Sequence, residues 1–109
     1  MQKKTTDTPH VSTAETLWED LGFSPDEAAV MELKLALHGE ILKEVKRQKL
    51  TPKKLAAVLD VQQPHVSDLL RGKVSHMSND RLTKYLRRLG RQVKVTTTKA
   101  IKLHGSEVA

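Results

Sequence analysis

Leu50-Thr51-Pro52-Lys53-Lys54-Leu55-Ala56-Ala57-Val58-Leu59-Asp60-Val61-Gln62-Gln63-Pro64-His65-Val66-Ser67-Asp68-Leu69-Leu70-Arg71-Gly72 is the stretch that decides the fold. It reads as two short helices joined by a tight turn. Leu55, Leu59, Val61, Val66 and Leu69 are the apolar positions that close such a pair, and Ala56 is the small residue that lets the helices touch. Two unrelated amphipathic helices would meet all of these constraints only occasionally. The turn position most often held by glycine is Asp60, which predicts a positive φ that Asp tolerates better than most residues. Gln62 stands where Ser or Thr would cap the second helix better, by about 1 kcal/mol. Pro64 falls in the first helical turn, where its missing N–H costs nothing.

With Val66, Leu69 and Leu70 turned inward, the second helix shows Pro64, His65, Ser67, Asp68 and Arg71, and carries Gln62 and Gln63 at its tip. A tip of this kind enters the major groove of DNA first. Gln62, Gln63 and His65 are therefore the leading base-reading candidates; Gln bonds adenine bidentately through N6 and N7. Ser67 suits a base or a phosphate, and Asp68 suits a base only as an acceptor from cytosine N4. Arg71, Lys73, Ser75, His76, Ser78 and Asn79 fit phosphate contacts, helped by the N-terminus of the following helix. Lys53 and Lys54, early in the first helix of the pair, fit the flanking phosphates.

The charge distribution supports this placement. The net charge of +6 over 109 residues hides a split. Residues 1–42 hold three Lys and Arg against eight Asp and Glu, whereas residues 43–94 hold fourteen against four. The basic excess thus sits on the segment containing the two-helix run, as an electrostatic footprint for phosphate would.

Outward from that run, Ser24-Pro25-Asp26-Glu27 is a strong helix start, with Ser24 as cap, Pro25 at the first position and Glu27 closing a reciprocal box. Val30, Leu33, Leu37, Ile41 and Val45 carry the helical period to about Gln48, with Gly39 as a point where the helix is expected to bend or break. Leu17, Trp18, Leu21 and Phe23 form a short apolar cluster before it. Ser78 or Asn79 caps a further helix through Leu82, Tyr85, Leu86 and Leu89, which stops at Gly90. Arg91-Gln92-Val93-Lys94-Val95-Thr96-Thr97-Thr98 then alternates and is β-branched, as one short strand would be. No second segment has that period, so its partner is either a second copy of the chain or the extended tail near Thr5–Val11.

Gln62 to Lys73 resembles the recognition segment of the XRE-type, lambda-repressor-like helix-turn-helix proteins. Leu17-Trp18-Glu19-Asp20-Leu21-Gly22-Phe23-Ser24-Pro25-Asp26-Glu27-Ala28 and the strand after Leu89-Gly90-Arg91 narrow the resemblance to the HigA-like antitoxin branch. It covers about residues 17–97 and implies a homodimer that represses its own operon and binds a RelE/HigB-type mRNA-cleaving toxin. Asp60 and Gln62 depart from the glycine and serine usual at those positions.

The chemistry of other classes is thin. There is no cysteine, so disulfides and thiolate zinc sites are excluded. The five histidines show no metal-ligand spacing, and no Gly-rich phosphate loop or Ser/His/Asp arrangement is present. His38 reads as a partly buried structural residue on the long helix. Arg81, Lys84, Arg88 and Arg91 read as a solvated face opposite Leu82, Tyr85, Leu86 and Leu89 more readily than as a second phosphate site or as a docking site for an acidic surface on a partner. Residues 1–15 and 99–109 are expected to be tails, residues 16–90 the DNA-binding domain with a helical extension, and 91–98 the strand. Val93, Lys94, Val95, Thr96 and Thr97 are the dimerisation candidates. The expectation is an all-α domain of about five helices plus that strand: a cytoplasmic, non-enzymatic, cofactor-free homodimer on a palindromic operator, with no membrane span. A stand-alone or phage-type regulator, and a toxin-binding module that uses the motif only as scaffold, are the alternatives.

Overall fold

Five helices form in the computed structural model, which describes residues 17–99: α1 (Leu17–Asp20), α2 (Pro25–Arg47), α3 (Pro52–Leu59), α4 (Gln63–Leu70) and α5 (Asn79–Arg88). The tails expected over 1–15 and beyond Lys99 lie outside the described residues. The chain divides into two units, one holding the described residues up to Ala29 and from Thr96 on, the other Val30–Val95.

In the first unit, Trp18 stacks edge-on against Phe23, with ring centroids 5.5 Å apart at 87°. Phe23 N–H donates to Trp18 O at 2.8 Å, which closes the loop between the rings. α2 then opens by the expected reciprocal box. Glu27 N–H donates to Ser24 Oγ at 3.1 Å and Ser24 N–H donates to Glu27 Oε1 at 2.9 Å.

The second unit is built on one aliphatic core. Ile41, Leu55, Leu59, Val66, Leu69 and Leu82 are fully buried, with Val74, Met77, Tyr85, Leu86 and Leu89 around them. Thr51 caps α3 by accepting from Lys54 N–H at 3.2 Å, and Ser78 caps α5 by accepting from Arg81 N–H at 3.0 Å. Asp60 takes the left-handed conformation expected of it (φ 58°, ψ 51°) and ends α3, with its N–H directed at the carbonyls of Ala56 and Ala57. Lys49, at φ 53°, makes the equivalent bend after α2.

Three expectations are corrected. First, α2 runs unbroken through Gly39, because the bonds on either side hold its backbone helical. Second, Val30 and Leu33 are exposed; the stripe of α2 that is buried consists of Lys34, Leu37, His38, Ile41 and Glu44. Its polar members are buried because each meets a fixed partner. Lys34 Nζ donates to Ser75 O at 2.9 Å, His38 Nε2–H donates to Leu69 O at 2.7 Å, and Glu44 accepts from Arg47 and Gln48. Third, the strand expected over 91–98 is not formed, and no strand occurs among the described residues. Residues 92–99 run on without regular structure and exposed; a β pattern without a second strand has nothing to complete a ladder.

Candidate nucleic-acid interface

α3 and α4 form the two-helix unit anticipated from the sequence. Leu55, Leu59, Val66 and Leu69 lie in the core, and Ala56, Val61 and Leu70 pack against it half-buried. α4 begins with Gln62 as its N-cap residue, in the extended conformation (φ −77°, ψ 155°) but without a side-chain cap bond. Its end is set by Gly72 at φ +79°, where Lys73 N–H returns to Asp68 O at 2.8 Å.

This framework leaves Gln62, Gln63, Pro64 and His65 exposed together at the start of α4, while Ser67 and Asp68 on the following turn are half-buried. Asp68 lies 3.8 Å from His76 Nε2, which gives its carboxylate a neighbour within the protein. Lys53, Asp60, Gln62 and Gln63 line one open depression floored by Ala56 and Ala57, so the N-terminus of α3 and the tip of α4 share a surface. Arg71, Lys73, Ser75, His76 and Ser78 are exposed on the segment joining α4 to α5. Ser78 Oγ is engaged as the cap of α5, and the Oδ1 of Asn79 is buried without a donor, an acceptor that a phosphate cannot satisfy.

A helix-turn-helix domain model matches residues 17–98, more than half of the chain. The chain belongs to the helix-turn-helix domain family. Membership supports a DNA-binding regulator, and the family is typically non-enzymatic. Neither the curated proteins nor the solved structures returned a match. Among the described residues, no helix is long and apolar enough to cross a membrane, and no group of three or more His, Cys, Asp or Glu is placed to hold a metal ion.

The helix-turn-helix is braced by polar side chains, among them Arg81, Arg88 and Arg91, which the sequence reading left on a solvated face. Arg88 Nη1 donates to Leu59 O at the end of α3. Arg91 Nε comes within 3.7 Å of Glu44 Oε2, and Gln48 Nε2 donates to Leu89 O at 2.8 Å. The Arg47 guanidinium, with help from the Gln48 amide, pushes the Glu44 carboxyl down to about 2 from its ordinary 4.5. Arg81 is the most consequential omission. Its Nε donates to Tyr85 Oη at 2.7 Å and its Nη2 to His65 Nδ1 at 2.8 Å, so a base-reading candidate is held from α5. The sequence reading set Arg81 on the face opposite Tyr85, although the four-residue spacing brings the two together; the contact across to α4 has no local signature.

Proposed function

We propose that this helix-turn-helix protein is a dimeric transcriptional repressor that reads a palindromic operator with α4, and that it serves as the antitoxin of a RelE/HigB-type toxin, repressing its own operon. The observation that carries the DNA-reading half is the grouping of Gln62, Gln63 and His65, all exposed, on the first turn of α4. Lys53, Lys54, Arg71 and Lys73 are exposed as well, for phosphate. Ser67 and Asp68 are secondary base contacts, and Ser75, His76 and Ser78 secondary phosphate contacts.

The dimer is supported by residues 93–97, where Val93 and Val95 are 36% and 78% exposed on a segment of β pattern. Pairing with a second copy completes the ladder that one chain lacks. A two-fold dimer then sets its α4 helices about 34 Å apart, or a multiple of that. The antitoxin role rests on the likeness of residues 17–28 and 89–97 to the HigA-like branch.

A gel shift on the DNA upstream of the gene tests the reading. Gln63→Ala is expected to relax sequence preference, whereas Arg71→Ala and Lys73→Ala weaken binding to all duplexes alike. If none of the three alters binding, the groove assignment is wrong. A monomer on gel filtration at micromolar concentration overturns the strand pairing. Co-expression with a small RelE-like neighbouring reading frame tests the toxin role, which fails if no complex forms.

A further inference from the structure

Arg81 offers three separate groups to three residues, Ser78 and Tyr85 of its own helix and His65 of α4. Its backbone N–H is capped by Ser78 Oγ at 3.0 Å, its Nε donates to Tyr85 Oη at 2.7 Å, and its guanidinium carbon lies 5.6 Å from the Tyr85 ring centroid. The third group, Nη2, is thereby aimed at His65 Nδ1, 2.8 Å away on the first turn of α4. A guanidinium only donates, so Nδ1 accepts and is unprotonated. The neutral ring then carries its proton on Nε2, at the opposite side from α5.

We propose that Arg81 is a positioning residue for base reading: it holds the His65 imidazole in the orientation and tautomer that present an Nε2–H donor to the major groove. The inference rests on the reading of α4 as the groove helix. A fixed donor selects a base edge that accepts, guanine with its adjacent N7 and O6 above all, and rejects the amino edges of cytosine N4 and adenine N6. An exposed histidine without Arg81 turns about its side-chain bonds and exchanges tautomers, and discriminates poorly. The fork geometry is what matters, since a lysine keeps the charge but cannot serve Tyr85 and His65 at once.

Selection of preferred sites from a randomised duplex library, with the full chain and its variants, tests this. The wild type is expected to favour guanine at one position of each half-site by about fivefold, the worth of one net hydrogen bond. His65→Ala and Arg81→Lys each flatten that same position, and the double variant flattens it no further. His65→Gln, whose amide donates without help from Arg81, retains a preference there. The proposal is overturned if Arg81→Lys leaves that position unchanged, flattens a different one, or weakens all duplexes alike as loss of a phosphate contact would. Nitrogen-15 spectra of the His65 imidazole in the free chain, above neutral pH, separate failure of the pair from failure of the groove reading. A bare Nδ1 and protonated Nε2 that become averaged in Arg81→Lys support the pair even if no duplex is preferred. A spectrum that Arg81→Lys does not change overturns it.

Discussion

Gln62→Ser should make the protein more stable and a poorer reader of DNA. Gln62 has the backbone of a working N-cap: its φ and ψ of −77° and 155° match those of Ser78, −77° and 156°, and of Thr51, −78° and 161°. Those two accept a bond from the third residue of their helices, and Gln62 does not. A serine oxygen at Gln62 falls within reach of His65 N–H without any backbone change. A new cap is worth about 0.5–2 kcal/mol. Here the gain belongs at the low end for two reasons. Pro64 has no N–H to be satisfied, and His65 N–H already donates to Gln62 O at 3.0 Å. About 0.5–1 kcal/mol remains, which for a domain of this size raises the melting midpoint by about 2–8 °C. Urea unfolding followed by circular dichroism measures it, with Ser78→Ala as a control expected to lose a comparable amount. A midpoint unchanged by Gln62→Ser, beside a clear drop for Ser78→Ala, refutes the argument that the cap at α4 is vacant. In the same samples, the affinity for an operator should fall if α4 reads bases as proposed, since one of its candidate amides has been exchanged for a cap.

Other expectations follow from the same geometry. Gly39→Ala should stabilise by about 1 kcal/mol in urea titrations, since an added Cβ meets nothing within 4 Å and Gly is the poorer helix former. Glu44 has a folded pKa of about 2 against an ordinary 4.5, so its stabilising contribution is present above the higher value and is lost as pH falls through the lower. Acid unfolding of Glu44→Gln should therefore lack this component, with the gap between wild type and variant closing towards pH 2. The salt dependence of operator binding should have a slope of about −3 to −4 per protomer, the value for phosphate contacts from Lys53, Lys54, Arg71 and Lys73. A slope near twice that in anisotropy titrations would place the α5 arginines on DNA as well.

The parts legible in the sequence were those set within a few residues. Ser24 and Glu27, and Ser78 and Arg81, are each three apart, and both caps form; the cap at Thr51 follows the same spacing and was not anticipated. The positive φ at Asp60 was legible for the same reason, because a two-helix unit of this spacing forces its turn. The buried face of α2 was legible in part: Leu37, Ile41 and Val45 pack inward as their period requires, and His38 is buried as the structural residue it read as, but Lys34 and Glu44 were missed. Apolar periodicity favours Val30 and Leu33, yet Lys34 and His38 are buried, through hydrogen bonds to Ser75 and Leu69 at separations of 41 and 31 residues. Hydropathy has no term for a polar group whose partner arrives from a distant element. At residues 91–98 the β pattern was legible, but a strand exists only with its ladder, and no partner lies among the described residues.

The distant contacts share a cause. α3 and α4 have eight residues each, so about half of their carbonyls have no donor within the helix. A fold made of such short helices needs donors from outside, reaching past an aliphatic core. Long polar side chains do this: Arg88 at Leu59 O, His38 at Leu69 O, and Gln48 at Leu89 O after α5. The consequence bears on the charge of the chain. Several cations in the basic segment are engaged within the protein, Arg47 by Glu44, Arg81 by Tyr85 and His65, and Arg88 by Leu59. The basic excess therefore overstates the surface offered to phosphate. Exposed cations remain at Lys46, Lys49, Lys84, Arg87 and Lys94 as well as at Lys53, Lys54, Arg71 and Lys73, and only the last four belong to the two-helix unit and its exit, the part of the fold proposed to read a base.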